Sequence, residues 1–336
     1  MHVALCINAV IPPPKYGGTE RIVAWMVRSL TQLGHRVTLV AREGSAVPGA
    51  RVVPIVPGRS WEELTPSDCD ILHLWAPTQD RFRRPYVITI EGNGKPGETF
   101  DARSIFVSRK HAENHGSTAF VYNGIDPDDY PCEPASARTN SLVFLAKASW
   151  SVKNLEGALE VARLSGLPIE VLGSRDWPLH SERWLRWISR LKGVRYHGMV
   201  GDAYKSKILR RARALVFPVR WHEPFGIAVT EALASGCAVL ATPYGSLSEL
   251  VTPDVGLVAT DARSLARAAS EARERYTPEA CRARVLRGLT HLDMAREYLR
   301  HYESVMTSGH LAGVDPAAPA PRAPETFKAQ DLLPWT

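Results

Sequence analysis

Short apolar runs alternate with segments of helical periodicity along most of the chain. In the first half, apolar runs predict these strands: Val3–Asn8, Arg36–Ala41, Val52–Val56, Asp70–Trp75, Tyr86–Ile90, Ile105–Val107 and Phe120–Tyr122. The second half adds these: Leu142–Ala146, Ile169–Leu172, Val194–His197, Ala214–Pro218, Val239–Ala241 and Gly256–Val258. Strands separated by helices are typical of parallel sheets. The pattern therefore predicts an α/β protein with two Rossmann-like domains in tandem.

A proline-rich stretch marks the boundary between the two predicted domains. Pro127, Pro131 and Pro134 interrupt regular structure there, because proline breaks both helices and strands. The predicted segments are a first domain over 1–135, a second over 136–290, a closing helix over 291–307 and a tail over 308–336. The tail is rich in alanine and proline, and we expect it to be extended or disordered.

Composition narrows the class of protein. Of the 336 residues 45% are hydrophobic and 23% charged, as in soluble globular proteins. The five cysteines are scattered and form no C-x-x-C pair, which favours a reducing compartment and argues against a zinc or disulfide framework. No apolar run approaches the ~20 residues that span a bilayer. We therefore predict a cytoplasmic protein without a cysteine-based zinc site.

Charge is distributed unevenly along the chain. The first 135 residues hold 14 Lys and Arg against 15 Asp and Glu, and the remainder holds 27 against 20. A basic second half suits a nucleotide diphosphate, but it also suits anionic lipid or nucleic acid. Composition alone leaves these ligands open.

The segment from Trp221 to Gly236 carries the most specific chemistry. It reads WHEPFGIAVTEALASG and places Glu223 and Glu231 eight positions apart, around a Pro-Phe-Gly turn that opens a helix. A helix N-terminus offers unpaired backbone N–H groups and partial positive charge, which bind phosphate or sugar oxygens. Carboxylates accept hydrogen bonds from the diols of sugars and riboses. An isolated pair of glutamates at this spacing is usually solvated, so the intervening residues carry the inference.

This segment resembles the E-x7-E signature of retaining glycosyltransferases of the GT-B fold, particularly family 4. The resemblance implies two Rossmann-like domains facing across a cleft, with the closing helix crossing back to the first domain. It also implies that Glu231 binds the ribose of a nucleotide sugar and Glu223 the transferred sugar. The diphosphate would lie at the helix N-terminus formed by Phe225, Gly226 and Ile227.

Two loops extend the resemblance. Gly17 and Gly18 follow the first strand, where the absence of Cβ atoms lets a phosphate approach the backbone; they resemble the family's Gly-Gly loop. Lys147 and Lys153 flank the loop after the first strand of the second half. Family members typically carry Arg-x5-Lys here, so this chain keeps the charge but loses the bidentate geometry of arginine. The resemblance makes both lysines ligands of the donor diphosphate.

Glu91 departs from the family pattern. It follows the strand at Tyr86–Ile90, where many family members have a histidine near the reacting sugar. A carboxylate at this position can bind a sugar or acceptor hydroxyl, or it can cap the loop. The following residues 92–97 match G-x-G-x-x-G, but Pro96 and the next strand leave no room for the helix that a nicotinamide site requires.

The resemblance implies a retaining, metal-independent transfer of a hexose-type sugar from a UDP- or GDP-linked donor to a glycan or glycolipid acceptor. Cell-surface polysaccharide, lipopolysaccharide and glycolipid synthesis are the expected settings. The main alternative is a catalytically silent GT-B protein that binds nucleotide sugars. A dehydrogenase is opposed by residues 92–97, and no motif supports nucleic-acid binding. Aromatic and basic residues at 183–192 favour a packed helix over peripheral contact with the inner face of a membrane.

Overall fold

The computed structural model describes residues 1–13, 17–78, 80–173, 192–325 and 332–336. The chain divides into two compact units. The first contains Met1–Asp126 and the segment that begins at Gly288, and the second contains Pro127–Arg287 and residues 332–336. Each unit is built on a six-stranded parallel sheet, so the predicted pair of Rossmann-like domains is confirmed.

The sheet of the first unit has the order β3-β2-β1-β4-β5-β6. Its strands are β1 (His2–Cys6), β2 (Arg36–Ala41), β3 (Ala50–Pro54), β4 (Ile71–Leu74), β5 (Tyr86–Ile90) and β6 (Ser104–Phe106). The central strands β1 and β4 are buried along their whole length, as expected for parallel strands covered on both faces. The strand order reverses between β1 and β4, and ligands of open α/β sheets bind at the carboxyl edge of such a switch point.

The sheet of the second unit repeats this arrangement in the order β12-β11-β10-β7-β8-β9. Its strands are β7 (Leu142–Leu145), β8 (Ile169–Leu172), β9 (Val194–Gly198), β10 (Ala214–Phe217), β11 (Ala238–Ala241) and β12 (Gly256–Val258). Here the order reverses between β7 and β10. The loops that follow these two strands contain the lysines and the first glutamate singled out in the sequence.

Helices complete both units. Within the described residues they are α1 (Gly18–Gln32), α2 (Trp61–Leu64), α3 (Arg109–Asn114), α4 (Leu155–Ser165), α5 (Asp202–Leu209), α6 (Ile227–Ala234), α7 (Leu247–Leu250), α8 (Ala262–Arg275), α9 (Pro278–Leu286) and α10 (His291–Ser308). None of these described helices has the length and apolar character needed to cross a membrane. The sequence predicts a packed helix rather than a membrane-contacting one at 183–192, and residues 183–191 of that segment lie outside the described ranges.

Helix α10 belongs to the first unit although it lies near the end of the chain. It begins with a capping box in which Thr290 and Asp293 satisfy each other's backbone N–H groups, the arrangement that stabilises a helix start. The helix packs on α1 and β5, where Tyr298 and Tyr302 are fully buried. The first sheet therefore completes its core with residues far away in sequence.

A domain boundary and a strand differ from the sequence predictions. The first unit ends at Asp126 rather than at residue 135, because Tyr130 is buried in the second unit and its hydroxyl donates to Glu231. The predicted strand Phe120–Tyr122 is wrong, since this segment makes only an isolated bridge between Phe120 and Phe106.

The alanine- and proline-rich tail makes hydrogen bonds in its described parts. Arg322 forms an antiparallel bridge with Thr99, and Ala323 is buried in the first unit. Residues 332–336 are hydrogen-bonded to the second unit. These described parts of the tail are extended, but backbone hydrogen bonds hold them in place.

Gly124 is expected to be intolerant of substitution. Ile125 exchanges hydrogen bonds with Leu289 and His291 at the start of α10, and a Cβ on Gly124 would overlap the carbonyl of Thr290. Gly124→Ala should therefore lower the free energy of unfolding of the first unit by about 1–3 kcal/mol. Thermal and urea unfolding measure this loss. Gly92→Ala is the matched control because its Cβ would meet nothing within 4 Å; equal losses in both variants would contradict the prediction.

Candidate functional site

Glu223 is held at the carboxyl edge of the second sheet by backbone contacts. The loop after β10 brings Glu223 alongside Gly245, with which it forms a parallel bridge, and Ser246 N donates to its carbonyl at 3.0 Å. Gly245 has a φ of 66°, and a Cβ there would overlap the Glu223 backbone. Glycine is therefore required opposite Glu223.

The side chain of Glu223 forms a buried ion pair with Lys153. Lys153 Nζ lies 2.6 Å from Glu223 Oε2, and the residues are only 9% and 7% exposed. The indole Nε1 of Trp221 donates to the same oxygen at 2.7 Å, and its ring lies 4.5 Å from Lys153 Nζ. Two donors on one buried oxygen, with an aromatic face against the ammonium group, fix the orientation of both charges.

Lys153 reaches Glu223 because of an unusual turn after β7. Residues Ser151–Lys153 form a 3-10 turn that ends at Asn154, which has a left-handed φ of 54°. Asn154 then caps α4, accepting from Gly157 N at 3.1 Å, and its amide donates to Pro218 O at 2.9 Å. This asparagine therefore fixes the Lys153 turn against the end of β10. Lys147, at the start of the same loop, lies with Nζ 5.2 Å from the centroid of the Trp150 ring.

Glu231 lies in a second buried cluster of charges. It is 2% exposed, and its Oε1 accepts from Lys205 Nζ and from the Tyr130 hydroxyl, each at 2.7 Å. Lys205 is also buried and bonds the exposed Asp202 at 2.8 Å. Sequence reasoning missed Lys205 and Tyr130, because they are distant in the chain and belong to no recognisable motif.

Helix α6 begins between the two glutamates. Gly226 adopts a left-handed φ of 91° at the N-cap, and as a glycine it offers no side chain to cap the helix start. Phe225 is buried, with its carbonyl bound by Ser246 Oγ at 2.5 Å, whereas Ile227 is partly exposed. The helix thus directs its first N–H groups and partial positive charge to the edge that holds Glu223.

Glu91 and the paired glycines lie in the first unit. Gly17 is the N-cap of α1 and Gly18 its first residue, so both follow β1 at the carboxyl edge of that sheet. Glu91 directly follows β5. The paired glycines and the Glu91 carboxylate therefore both lie at the carboxyl edge of the first sheet.

Burial raises the pKa of Glu91 from 4.5 to about 7. The residue as a whole is partly exposed, but its Oε1 is buried and has no hydrogen-bond partner among the described residues. Asn123 Nδ2 donates to Oε2 at 2.9 Å, and the nearby Trp75 also favours the ionised form. Desolvation prevails over these donors, so Glu91 changes charge near neutral pH.

A buried hydrogen-bond network lies beneath Glu91. His73 bonds the Tyr302 hydroxyl and Thr89 Oγ1, each at 2.6 Å, and Thr89 bonds the Tyr298 hydroxyl at 2.7 Å. Burial places the pKa of His73 well below its usual value, so the imidazole is neutral at physiological pH. The network joins β4 and β5 to α10 and fixes the strand that carries Glu91.

Only His2, Asp68 and Cys69 bring three potential metal ligands together among the described residues, within 4.8 Å. The His2 ring already bonds Thr38 through Nε2 at 2.8 Å and approaches Asp68 through Nδ1 at 3.3 Å. These residues lie at the amino ends of β1 and β4, opposite the edge that carries Glu91. Among the described residues, the edge around Glu223 shows no group of this kind.

A family model matches much of the second unit. The model described as glycosyl transferases group 1 matches residues 140–274, which include Lys147, Lys153, Lys205 and both glutamates. The match covers less than half of the chain. A phosphatidyl-myo-inositol mannosyltransferase of Propionibacterium freudenreichii is 28% identical over 171 residues, covering 46% of this chain and 42% of the relative. The matched segment therefore spans less than half of that protein.

Solved structures extend the likeness to both units of the chain. AviGT4, a glycosyltransferase of avilamycin A biosynthesis, has a TM-score of 0.73 at 23% identity, covering 91% of this chain and 98% of its own. Sucrose-phosphate synthase of Thermosynechococcus elongatus has a TM-score of 0.69 at 17% identity, covering 91% and 99%. HepE of Anabaena, solved with UDP-glucose, has a TM-score of 0.64 at 14% identity, covering 90% and 100%. The chain has the GT-B fold.

Removing Lys205 should strongly destabilise the second unit. Lys205→Met leaves Glu231 buried without its cation, a loss of about 3–5 kcal/mol in the free energy of unfolding. The double variant Lys205→Met with Glu231→Met removes both charges and should recover much of that loss. Asp202→Asn is the control, since the Asp202 side chain is 64% exposed and its pairing contributes below ~1 kcal/mol. Urea unfolding gives these values, and a loss in the control equal to that of Lys205→Met would contradict the prediction.

Glu91 should make stability depend on pH. Its pKa is raised on folding, so the folded state binds the proton more tightly and the free energy of unfolding falls as pH rises from 4.5 to about 7. Relative to Glu91→Gln, the wild type should lose up to about 3 kcal/mol between pH 4.5 and pH 8. Urea unfolding of both proteins at each pH measures the difference. A constant difference would show that Glu91 titrates at its ordinary pKa.

Proposed function

We propose that this protein is a retaining glycosyltransferase that moves a hexose-type sugar from a UDP- or GDP-linked donor to a hydroxyl of a glycan or glycolipid. The observation that carries the proposal is the buried pair of Lys153 and Glu223 beside the start of α6, whose N-cap is Gly226. Together, the ion pair and the helix start place a cation, an anion and backbone N–H donors at one edge of the sheet. A nucleotide sugar offers the complementary diphosphate and hydroxyl groups.

Donor binding would exchange partners within this pair. A diphosphate accepts the hydrogen bond of Lys153 in place of the carboxylate, and Glu223 then accepts from a hydroxyl of the transferred sugar. Because each charge gains a new partner, neither is left buried and uncompensated. Glu231, eight residues along, would bind the ribose hydroxyls while Lys205 and Tyr130 hold it in position.

The same groups provide transition-state stabilisation. Negative charge develops on the diphosphate as the glycosidic bond breaks, and Lys153, Lys147 and the start of α6 at Phe225, Gly226 and Ile227 would stabilise it without a metal ion. We assign Gly17 and Gly18 to the donor phosphate. The acceptor hydroxyl would attack from the face that the diphosphate leaves and pass its proton to that leaving group, which preserves the anomeric configuration.

Glu91 would bind a hydroxyl near the reacting sugar, in the position where many family 4 members have histidine. The relatives favour a nucleotide-linked hexose, since HepE was solved with UDP-glucose and another relative is named as a mannosyltransferase. We propose that the activity serves cytoplasmic synthesis of cell-surface polysaccharide, lipopolysaccharide or glycolipid.

A panel of UDP-, GDP-, ADP- and TDP-sugars tests the proposal. Each compound is added with and without EDTA, and thermal stability and sugar release are followed. A ligand at ~100 times its Kd adds about 2.7 kcal/mol to stability. Stabilisation by one nucleotide class with slow hydrolysis in EDTA would support the proposal, and the anomer formed on transfer would test retention. Stabilisation without turnover, even with candidate acceptors, would favour a silent nucleotide-sugar-binding protein.

Lys153→Ala should lower turnover by ~10²-fold or more, because it removes a cation that stabilises the leaving diphosphate. Steady-state kinetics with the nucleotide sugar identified by the panel measures the loss. Lys207→Ala is the matched control, since Lys207 lies exposed on α5. Near-wild-type turnover in Lys153→Ala would remove its assigned role.

A further inference from the structure

Residues 332–336 form an extended segment, here named the strap, on the second unit. Leu333 N donates to Arg220 O at 3.0 Å, and Arg220 Nε donates back to Leu333 O at 2.9 Å. Tyr244 donates its hydroxyl to Pro334 O at 2.6 Å. At the far end, Thr336 N donates to Thr260 O and Thr336 O accepts from Ala262 N, at 3.1 and 2.7 Å. Hydrogen bonds therefore run along the whole strap.

The strap crosses the carboxyl edge of the second sheet. Arg220 follows β10, Tyr244 follows β11, and Thr260 follows β12. These three strands are neighbours in the sheet, so the strap joins three successive loops at the edge that carries Glu223.

Arg220 connects the strap to the backbone next to both members of the buried ion pair. Its backbone N donates to Val152 O at 2.7 Å, and Val152 directly precedes Lys153. Arg220 itself lies three residues before Glu223. One residue thus bonds the Lys153 turn through its N–H and the strap through its carbonyl and guanidinium groups.

Tyr244 gives the strap a second connection to Glu223. It directly precedes Gly245, whose backbone pairs with that of Glu223. The strap therefore bonds residues beside both backbone segments that position Glu223. The bonds described above end on the loops after β10, β11 and β12 rather than on α5 or α6, so its influence should fall on the Glu223 side of the site.

We propose that the strap is a positioning element for the donor sugar, which holds the Arg220 and Tyr244 loops so that Glu223 and Lys153 keep their geometry. The inference rests on the proposed function for its substrate class, a nucleotide-linked sugar. It assigns no chemical step to the strap, because its contacts are with the supporting loops.

The first experiment needs no ligand. The indole Nε1 of Trp221 donates to Glu223, so its ¹⁵N–¹H resonance reports the geometry of the ion pair. We would compare the full chain with a variant that ends at Asp331, with Leu333→Pro, which removes the N–H bound to Arg220, and with Tyr244→Phe. Leu333→Ala is the matched control because it keeps the backbone donor. The resonances of Trp25, Trp61 and Trp75, all in the first unit, provide internal references.

The Trp221 resonance should move or broaden in the first three variants and stay in place in Leu333→Ala, while the reference resonances remain constant. An unchanged Trp221 resonance in the shortened chain would overturn the proposal. Displacement of the reference resonances as well would mean general destabilisation and would equally count against a positioning role.

The second experiment separates the sugar from the nucleotide. For the nucleotide sugar that the panel identifies, loss of one hydrogen bond to the sugar corresponds to roughly a fivefold rise in Kd. The shortened chain should show that rise for the nucleotide sugar but less than about a twofold rise for the nucleoside monophosphate. Equal changes for both ligands would overturn the proposal. If the wild type bound no nucleotide sugar, the proposed function would fail, and the Trp221 resonance would still decide whether the strap positions Glu223.

Discussion

The carboxyl edge of the second sheet depends on the pairing of buried glutamates with buried lysines. Moving two carboxylates out of water is costly, and each is compensated by an ammonium group within 2.7 Å. Those distances require the loops after β7 and β10, and helices α5 and α6, to meet in one arrangement. The same charges that are expensive to bury are suited to a ligand that carries both phosphates and hydroxyls.

The Lys153–Glu223 and Lys205–Glu231 pairs lie on different kinds of structural elements. Lys153 and Glu223 both lie on loops, supported by backbone bonds through Asn154, Arg220 and Gly245. Glu231 and Lys205 lie on helices, with Tyr130 as a third partner. A loop-borne pair can rearrange at lower cost than a helix-borne one. This asymmetry fits a site in which one end of a ligand is held while the other end reacts.

Local patterns were sufficient to predict most of the fold. Apolar runs located strands such as Arg36–Ala41 and Tyr86–Ile90 to the residue, because a buried parallel strand must be apolar on both faces. Contacts between segments that are distant in the sequence could not be predicted from such local patterns. The Tyr130 hydroxyl donates to Glu231, which is far from it in the sequence, and the strap is hydrogen-bonded to Arg220. Neither contact produces a periodic pattern in the sequence. The E-x7-E spacing indicated the carboxylates, but nothing in it identified Lys205.

The position of α10 has a consequence for how the chain folds. The first unit uses Tyr298 and Tyr302 to complete the core beneath β4 and β5, whereas the main part of the second unit is continuous from Pro127 to Arg287. During synthesis, the strands of the first sheet therefore emerge well before α10, the helix that packs on α1 and β5. The continuous part of the second unit can fold before α10 is made. The apolar surface of the first sheet that Tyr298 and Tyr302 cover must therefore avoid aggregation until α10 is made.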